Sequence, residues 1–207
     1  MIEPVETESR ETIDHFAEVM EKIRVAVLAA NVAEIELSQS AKVLTAAQQQ
    51  FKLETSELEG VVDSWNEVSR KARVGTNDLV DAMQAAGTSA GQTGLSFHEL
   101  NAIVATVSQA TGKSGQEIGT AFKAMMARGQ MPKAVAALSE VGVIVRDETG
   151  DLRDFSEILN DVADRWHSLT RAQQMNIANA LAEKKRYQYF LALMENYDNY
   201  LELTRVS

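Results

Sequence analysis

Helix starts punctuate this chain after residue 55. Ser56 with Glu59, Ser96 with Glu99, Ser114 with Glu117, Asp154 with Glu157 and Thr170 with Gln173 share one spacing. At that spacing the first side chain accepts from the free backbone N–H three residues on, and the second reaches back. Stops alternate with the starts: Gly75, Gly87, Gly112, Gly129 and Gly142 follow helical stretches, and Pro132 blocks continuation past Gly129. Glycine takes the left-handed conformation that ends a helix, and proline lacks the N–H to extend one. The pattern predicts helices near 56–73, 77–86, 96–110, 115–128, 133–141, 155–168, 171–182 and 184–204.

Ahead of this region the apolar period runs on without a stop. Ile13, Phe16, Met20, Ile23, Val27, Ala30, Glu34, Leu37, Ala41, Leu44, Gln48 and Phe51 recur in steps of three and four. That spacing predicts one or two long helices over 10–50, with a coiled-coil seam interrupted at Glu34 and Gln48. Val25, Leu28, Val32 and Ile35 widen the stripe enough to meet more than one neighbour. Two readings stand: a helix folded back on its own domain, or a self-associating seam carried by Ile13, Phe16, Met20, Ile23, Val27, Leu37 and Leu44. The division expected is a long amphipathic segment over 1–54 and a domain of short helices over 55–207.

One stretch has strand character. β-branched Val143-Ile144-Val145, a turn at Glu148-Thr149-Gly150 and a return through Leu152 predict a small β-hairpin near 143–153. A two-stranded ribbon is marginal alone, so Val143, Val145 and Leu152 are expected to pack on neighbouring helices. The fold class expected is therefore mainly α: a multi-helix bundle of short helices with one hairpin.

Composition narrows function mostly by exclusion. With 207 residues the chain has ample length for a core. Its formal charge of −10 argues against nucleic-acid binding, since phosphate contacts need clustered Lys and Arg. The one basic run, Lys184-Lys185-Arg186, reads as a solvated helix face. There is no cysteine, hence no thiolate chemistry. Glu3, Glu6, Glu8 and Glu11 are acidic where a signal peptide would be basic. The apolar run Val25 to Ala33 is about half of the ~20 residues a membrane helix needs, so no span is expected.

Catalytic patterns do not assemble. Thr111-Gly112-Lys113-Ser114 resembles the end of a phosphate loop, but Val107 stands where the loop needs its first glycine and a helix precedes it. It reads as a helix–turn–helix linker. His15, His98 and His167 have no zinc-binding spacing. The serines sit at caps, with no nucleophile elbow. Trp65 and Trp166 read as core anchors, and Met125, Met126 and Met131 as core filling or an adaptable interface. No catalytic residue, metal or cofactor is expected.

Four segments together carry a family resemblance: Gly94-Leu95-Ser96 opening a helix, Gly115 to Met125, Gly142 to Phe155, and Arg186 to Asn196. Over roughly residues 35–205 the chain resembles the core region of phage tail tape measure proteins. It departs from them at Glu183-Lys184, where relatives often carry a glycine, and in the short link from Gly129 to Ala134. It is also far shorter than usual members, as a fragment or a short member would be. The resemblance implies a structural protein of a phage or prophage tail, assembled in the bacterial host cytoplasm. It implies a part in setting tail length through helix–helix contacts. Partners implied are tail tube, tail-tip or assembly-chaperone proteins. The alternative is a helical adaptor or secreted interaction module unrelated to tails.

Overall fold

The computed structural model describes residues 10–207, without the side chains of Glu183 and Lys184. The acidic stretch with Glu3, Glu6 and Glu8, the start of the 1–54 segment and Lys184 of the basic run thus lie outside the described residues. The elements are α1 (Arg10–Ala33), α2 (Leu37–Phe51), a 3₁₀ turn (Thr55–Glu57), α3 (Leu58–Ala72), α4 (Thr76–Gln92) and α5 (Phe97–Thr111). They continue with α6 (Gly115–Gly129), α7 (Pro132–Glu140), α8 (Phe155–Trp166), α9 (Arg171–Glu195) and α10 (Tyr197–Val206).

The bundle is built around α4, which packs on α2, α5 and, most intimately, α6. Small residues permit that closeness. A Cβ added to Gly115 would stand 1.7 Å from the Asp78 carbonyl oxygen, and one on Gly119 would stand 2.8 Å from Ala82 Cα. Asp78 answers by accepting a 2.7 Å hydrogen bond from Gly115 N–H, which locks the start of α6 to α4. Around this pair α9 spans α5, α6, α7 and α8, while α10 closes over α5 and α3. Trp65, Trp166, Phe122 and Phe190 are fully buried in a continuous core.

The expected β-hairpin is corrected by the structure. Arg146 and Leu152 form a single antiparallel bridge, and among the described residues no strand appears. Two backbone bonds flank the bridge, Arg153 N–H to Val145 O at 3.0 Å and Asp147 N–H to Asp151 O at 2.9 Å. Side chains then take the groups a ladder would need. The Ile144 carbonyl accepts from the Arg153 guanidinium at 2.8 Å, and Asp147 Oδ1 gathers the N–H groups of Thr149 and Asp151. Val143 and Val145 are buried as expected, whereas Leu152 and Ile144 face solvent. Only the first arm is well buried, so a ribbon gains little from the return through Leu152.

Helix boundaries moved where glycine served packing instead of termination. Gly87 lies inside α4, which runs on to Gln92 instead of ending near 86, because Gly87 and Gly91 press against Gln50 of α2. The 10–50 segment, read as one or two long helices, is two: the chain turns back at Glu34 between α1 and α2. The expected break near 183 is absent and α9 is unbroken to Glu195; the chain bends at Asn196 instead. Of the five capping boxes, Ser96–Glu99 and Thr170–Gln173 form in full, and Ser114 caps without the return bond. Asp154 makes no side-chain cap, and the box expected at Ser56 is formed by Glu54 and Glu57.

Candidate interaction surface

The large apolar side chains of the N-terminal seam do not enter this core. Ile13, Phe16, Met20, Ile23, Val27 and Leu37 are all exposed, Phe16 at 64%, while Leu44 alone of the seven seam residues is buried at 3%. What α1 buries is the neighbouring stripe of Val25, Ala26, Ala29 and Ala33. Ser40 of α2 donates a 2.6 Å bond to the Ala26 carbonyl from within the contact, which fixes the crossing. From Arg10 to Met20 every residue is exposed, although Glu18 still bonds Thr55 and Val19 lines the side that faces α2.

Polar contacts brace the inner end of that helix. The Arg24 guanidinium meets Glu21 and Glu59 carboxylates, each at 2.6 Å, joining α1 to α3. Hydrogen bonds from Arg24 hold both carboxyls below the usual glutamate range. Glu18 pairs with Lys22 at 2.9 Å and accepts from Thr55 Oγ1 at 3.0 Å, and the Lys22 bond is the first cause of its lowered pKa. These groups are exposed, so they orient more than they stabilise.

Between α1 and α2 runs an open groove of about 560 Å³, its walls mainly apolar and including Val19, Ile23, Leu37, Ala41 and Leu44. Periodicity brought these residues to one helical face, but only the turn at Glu34 folds that face into a groove. The signal was present in part: Ile35 follows the turn, and its N–H returns to Ala30 O at 3.1 Å, the bond of a left-handed helix stop.

A second hollow of about 590 Å³ lies where α2, α3 and α5 begin or end, lined by Phe51, Phe97, His98 and Gly60 among others. Phe97 is edge-on to Phe51 at 5.7 Å and tilted against Trp65 at 5.8 Å. Burial lowers the His98 pKa, partly offset by Glu99. Its Nδ1 lies 3.0 Å from Ser207 Oγ, which also contacts Ser64 Oγ, and Asn101 Nδ2 donates to Ser64 at 3.2 Å. This polar chain ties α3, α5 and the end of α10 together.

The remaining sequence candidates fall apart in space or into structural roles. Gly112 ends α5 at φ +67°, Ser114 caps α6, and Lys113 lies 3.7 Å from Glu117, so that segment is the expected linker. Among the described residues no three metal-ligating side chains converge, and no helix is long and apolar enough to cross a membrane. Met125 and Met126 fill the core, whereas Met131 is exposed.

Residues 15–183 match the sequence model described as phage-related minor tail protein. The chain belongs to that family. As a minor tail protein it is a structural component of the virion tail, with tail-assembly partners, and the alternative of a module unrelated to tails falls away. The match takes in most of α1, including Phe16 through Val27, and runs into α9. No solved structure matches the chain.

Proposed function

We propose that this minor tail protein acts as a tape measure core segment, taking part in tail assembly and tail-length determination without enzymatic activity. Its partners are tail tube, tail-tip or assembly-chaperone proteins and further copies of itself, met in the host cytoplasm before the tail is complete. The observation that carries the reading is family membership joined to a helical body whose large N-terminal apolar stripe is turned outward. The mechanism is geometric. A helix rises ~1.5 Å per residue, so even this whole chain as one helix spans only about 300 Å. The segment therefore contributes to a ruler as an end module and not as its full length.

The deciding experiment alters the length of the gene in its phage and measures tails by electron microscopy. Tails that shorten or lengthen in proportion support the reading. Tails of unchanged length that still contain the protein refute tape measurement and leave a minor structural role. A wall-clearing zymogram positive for the purified chain would refute the non-enzymatic part.

A further inference from the structure

We propose that the outer face of α1 pairs antiparallel with the same face of a second copy, each exposed helix end lying along the other copy's α1–α2 groove. This deepens the self-association reading above and does not depend on tail-length measurement.

Three observations lead to it. First, every residue of the helical Arg10–Met20 turns is exposed, so this half of α1 leaves its apolar stripe outside its own core. Its large apolar side chains leave water only where another surface covers them. Second, the groove beside it is open and mostly apolar. Third, charge is arranged for a like-charged partner. With Ile13, Met20 and Val27 at a and Phe16 and Ile23 at d, the flanking e and g positions hold Arg10, Thr12, Ala17, Val19, Arg24 and Ala26, with no acid among them. The acids Glu11, Asp14, Glu18 and Glu21 all fall on the b and f positions, away from the contact. Two copies of a chain with a formal charge of −10 can therefore approach here without opposing carboxylates.

An isologous contact is the simplest closed arrangement for one such patch. Antiparallel pairing sets a against d of the partner, so Met20 meets Ile23 and Phe16 meets Val27, large against small. Parallel in-register pairing would instead stack Phe16 on Phe16 and carry both bodies to the same end. The whole-residue exposed area of Ile13, Phe16, Val19, Met20, Ile23 and Val27 comes to roughly 600 Å² per copy, so covering all of it would bury about 1,200 Å² in total, the lower edge of stable interfaces.

The test uses the full chain, which has no native cysteine to confuse cross-linking. Sedimentation should show a concentration-dependent monomer–dimer equilibrium. Phe16→Asp should weaken it about 100-fold, since both copies lose a buried ring, with the tryptophan-detected melt unchanged at concentrations low enough for both chains to be monomers. Mixed Phe16→Cys and Val27→Cys chains should form the heterodisulfide in preference to either homodisulfide. A wild-type monomer at high concentration overturns the proposal, as does dimerisation unaffected by Phe16→Asp. Preferential Phe16→Cys homodisulfides overturn the antiparallel arrangement. Incorporation of Phe16→Asp into tails, scored separately, tells failure of this contact from failure of the tail reading.

Discussion

Replacing Gly91 and Gly60 by alanine should move stability in opposite directions, although both glycines sit in helices. A Cβ on Gly91 would stand 2.0 Å from the Gln50 carbonyl oxygen, where α2 crosses α4. Carbon and oxygen need more than 3 Å, and the obstacle is backbone, so the two helices must part by about 1 Å. Overpacking of this kind costs ~1–3 kcal/mol, and a backbone obstacle belongs at the upper end. Alanine's better helix propensity returns less than ~1 kcal/mol. The net loss is about 2–3 kcal/mol, which lowers the Tm of a chain this size by roughly 4–12 °C.

Gly60, near the start of α3, is the control: nothing lies within 4 Å of an added Cβ, and the residue is exposed. There alanine should gain about 0.5 kcal/mol and raise the Tm by roughly 1–2 °C. Calorimetry on the two variants and wild type measures both shifts. A Gly91→Ala protein at least as stable as wild type would refute the close approach of α2 and α4, and with it the packing of this half of the bundle.

Three further outcomes follow from individual contacts. Burial holds the His98 pKa below its ordinary 6.5, so the unfolded chain binds this proton more readily than the folded one. That stability is fully present above about pH 6.5 and falls as the pH drops below it; His98→Phe should flatten this part of a stability–pH curve measured by urea unfolding. Arg153 bonds Ile144 O, Asp161 and Glu157 from a partly buried position, so Arg153→Ala should cost about 1–2 kcal/mol and speed amide exchange in the 144–153 turn. Trp166 Nε1 donates to Glu195 at 2.9 Å, whereas Trp65 Nε1 is buried without a partner among the described residues. Trp166→Phe should therefore destabilise by about 1 kcal/mol more than Trp65→Phe, read from the fluorescence of the remaining tryptophan.

The helix starts were legible because a cap is a local event. Ser96 and Thr170 need only a partner three residues away, and their boxes form. Stops were legible where glycine made them, as at Gly112, and hidden where other residues did. Glu34, Lys52 and Arg73 end α1, α2 and α3 in the left-handed region at φ +52°, +56° and +54°. In each case the next residue is apolar, Ile35, Leu53 or Val74, and its N–H returns five residues to close the helix. Burial of that apolar residue offsets the conformational cost, an exchange that a count of glycines misses. Gly87 misled for the converse reason, because only the tertiary approach of Gln50 explains it. The Val143–Val145 run read as a strand from its β-branching, but Arg153 and Asp147 compete for the same backbone groups.

The candidate surface was named residue by residue in the sequence, yet its meaning lay in which stripe of α1 the core chose. A helix that serves only to close a bundle puts its large side chains inward and its small or polar ones outward. Here the inward residues are Val25, Ala26, Ala29 and Ala33, and the outward ones include Ile13, Phe16, Met20 and Ile23. Small inward residues let α1 sit close against its neighbours, so this face is well used and not simply vacant. Scattered exposed apolar residues are ordinary on a monomer, but a contiguous stripe along one helix is a recognition feature. The same size ordering explains why periodicity alone left open whether the seam folds onto its own domain or faces another copy: it weighs leucine and phenylalanine over alanine. Close helix–helix contact favours the reverse. In this structural tail protein the large side chains on α1 stay outside its own core, where the proposed contact would use them.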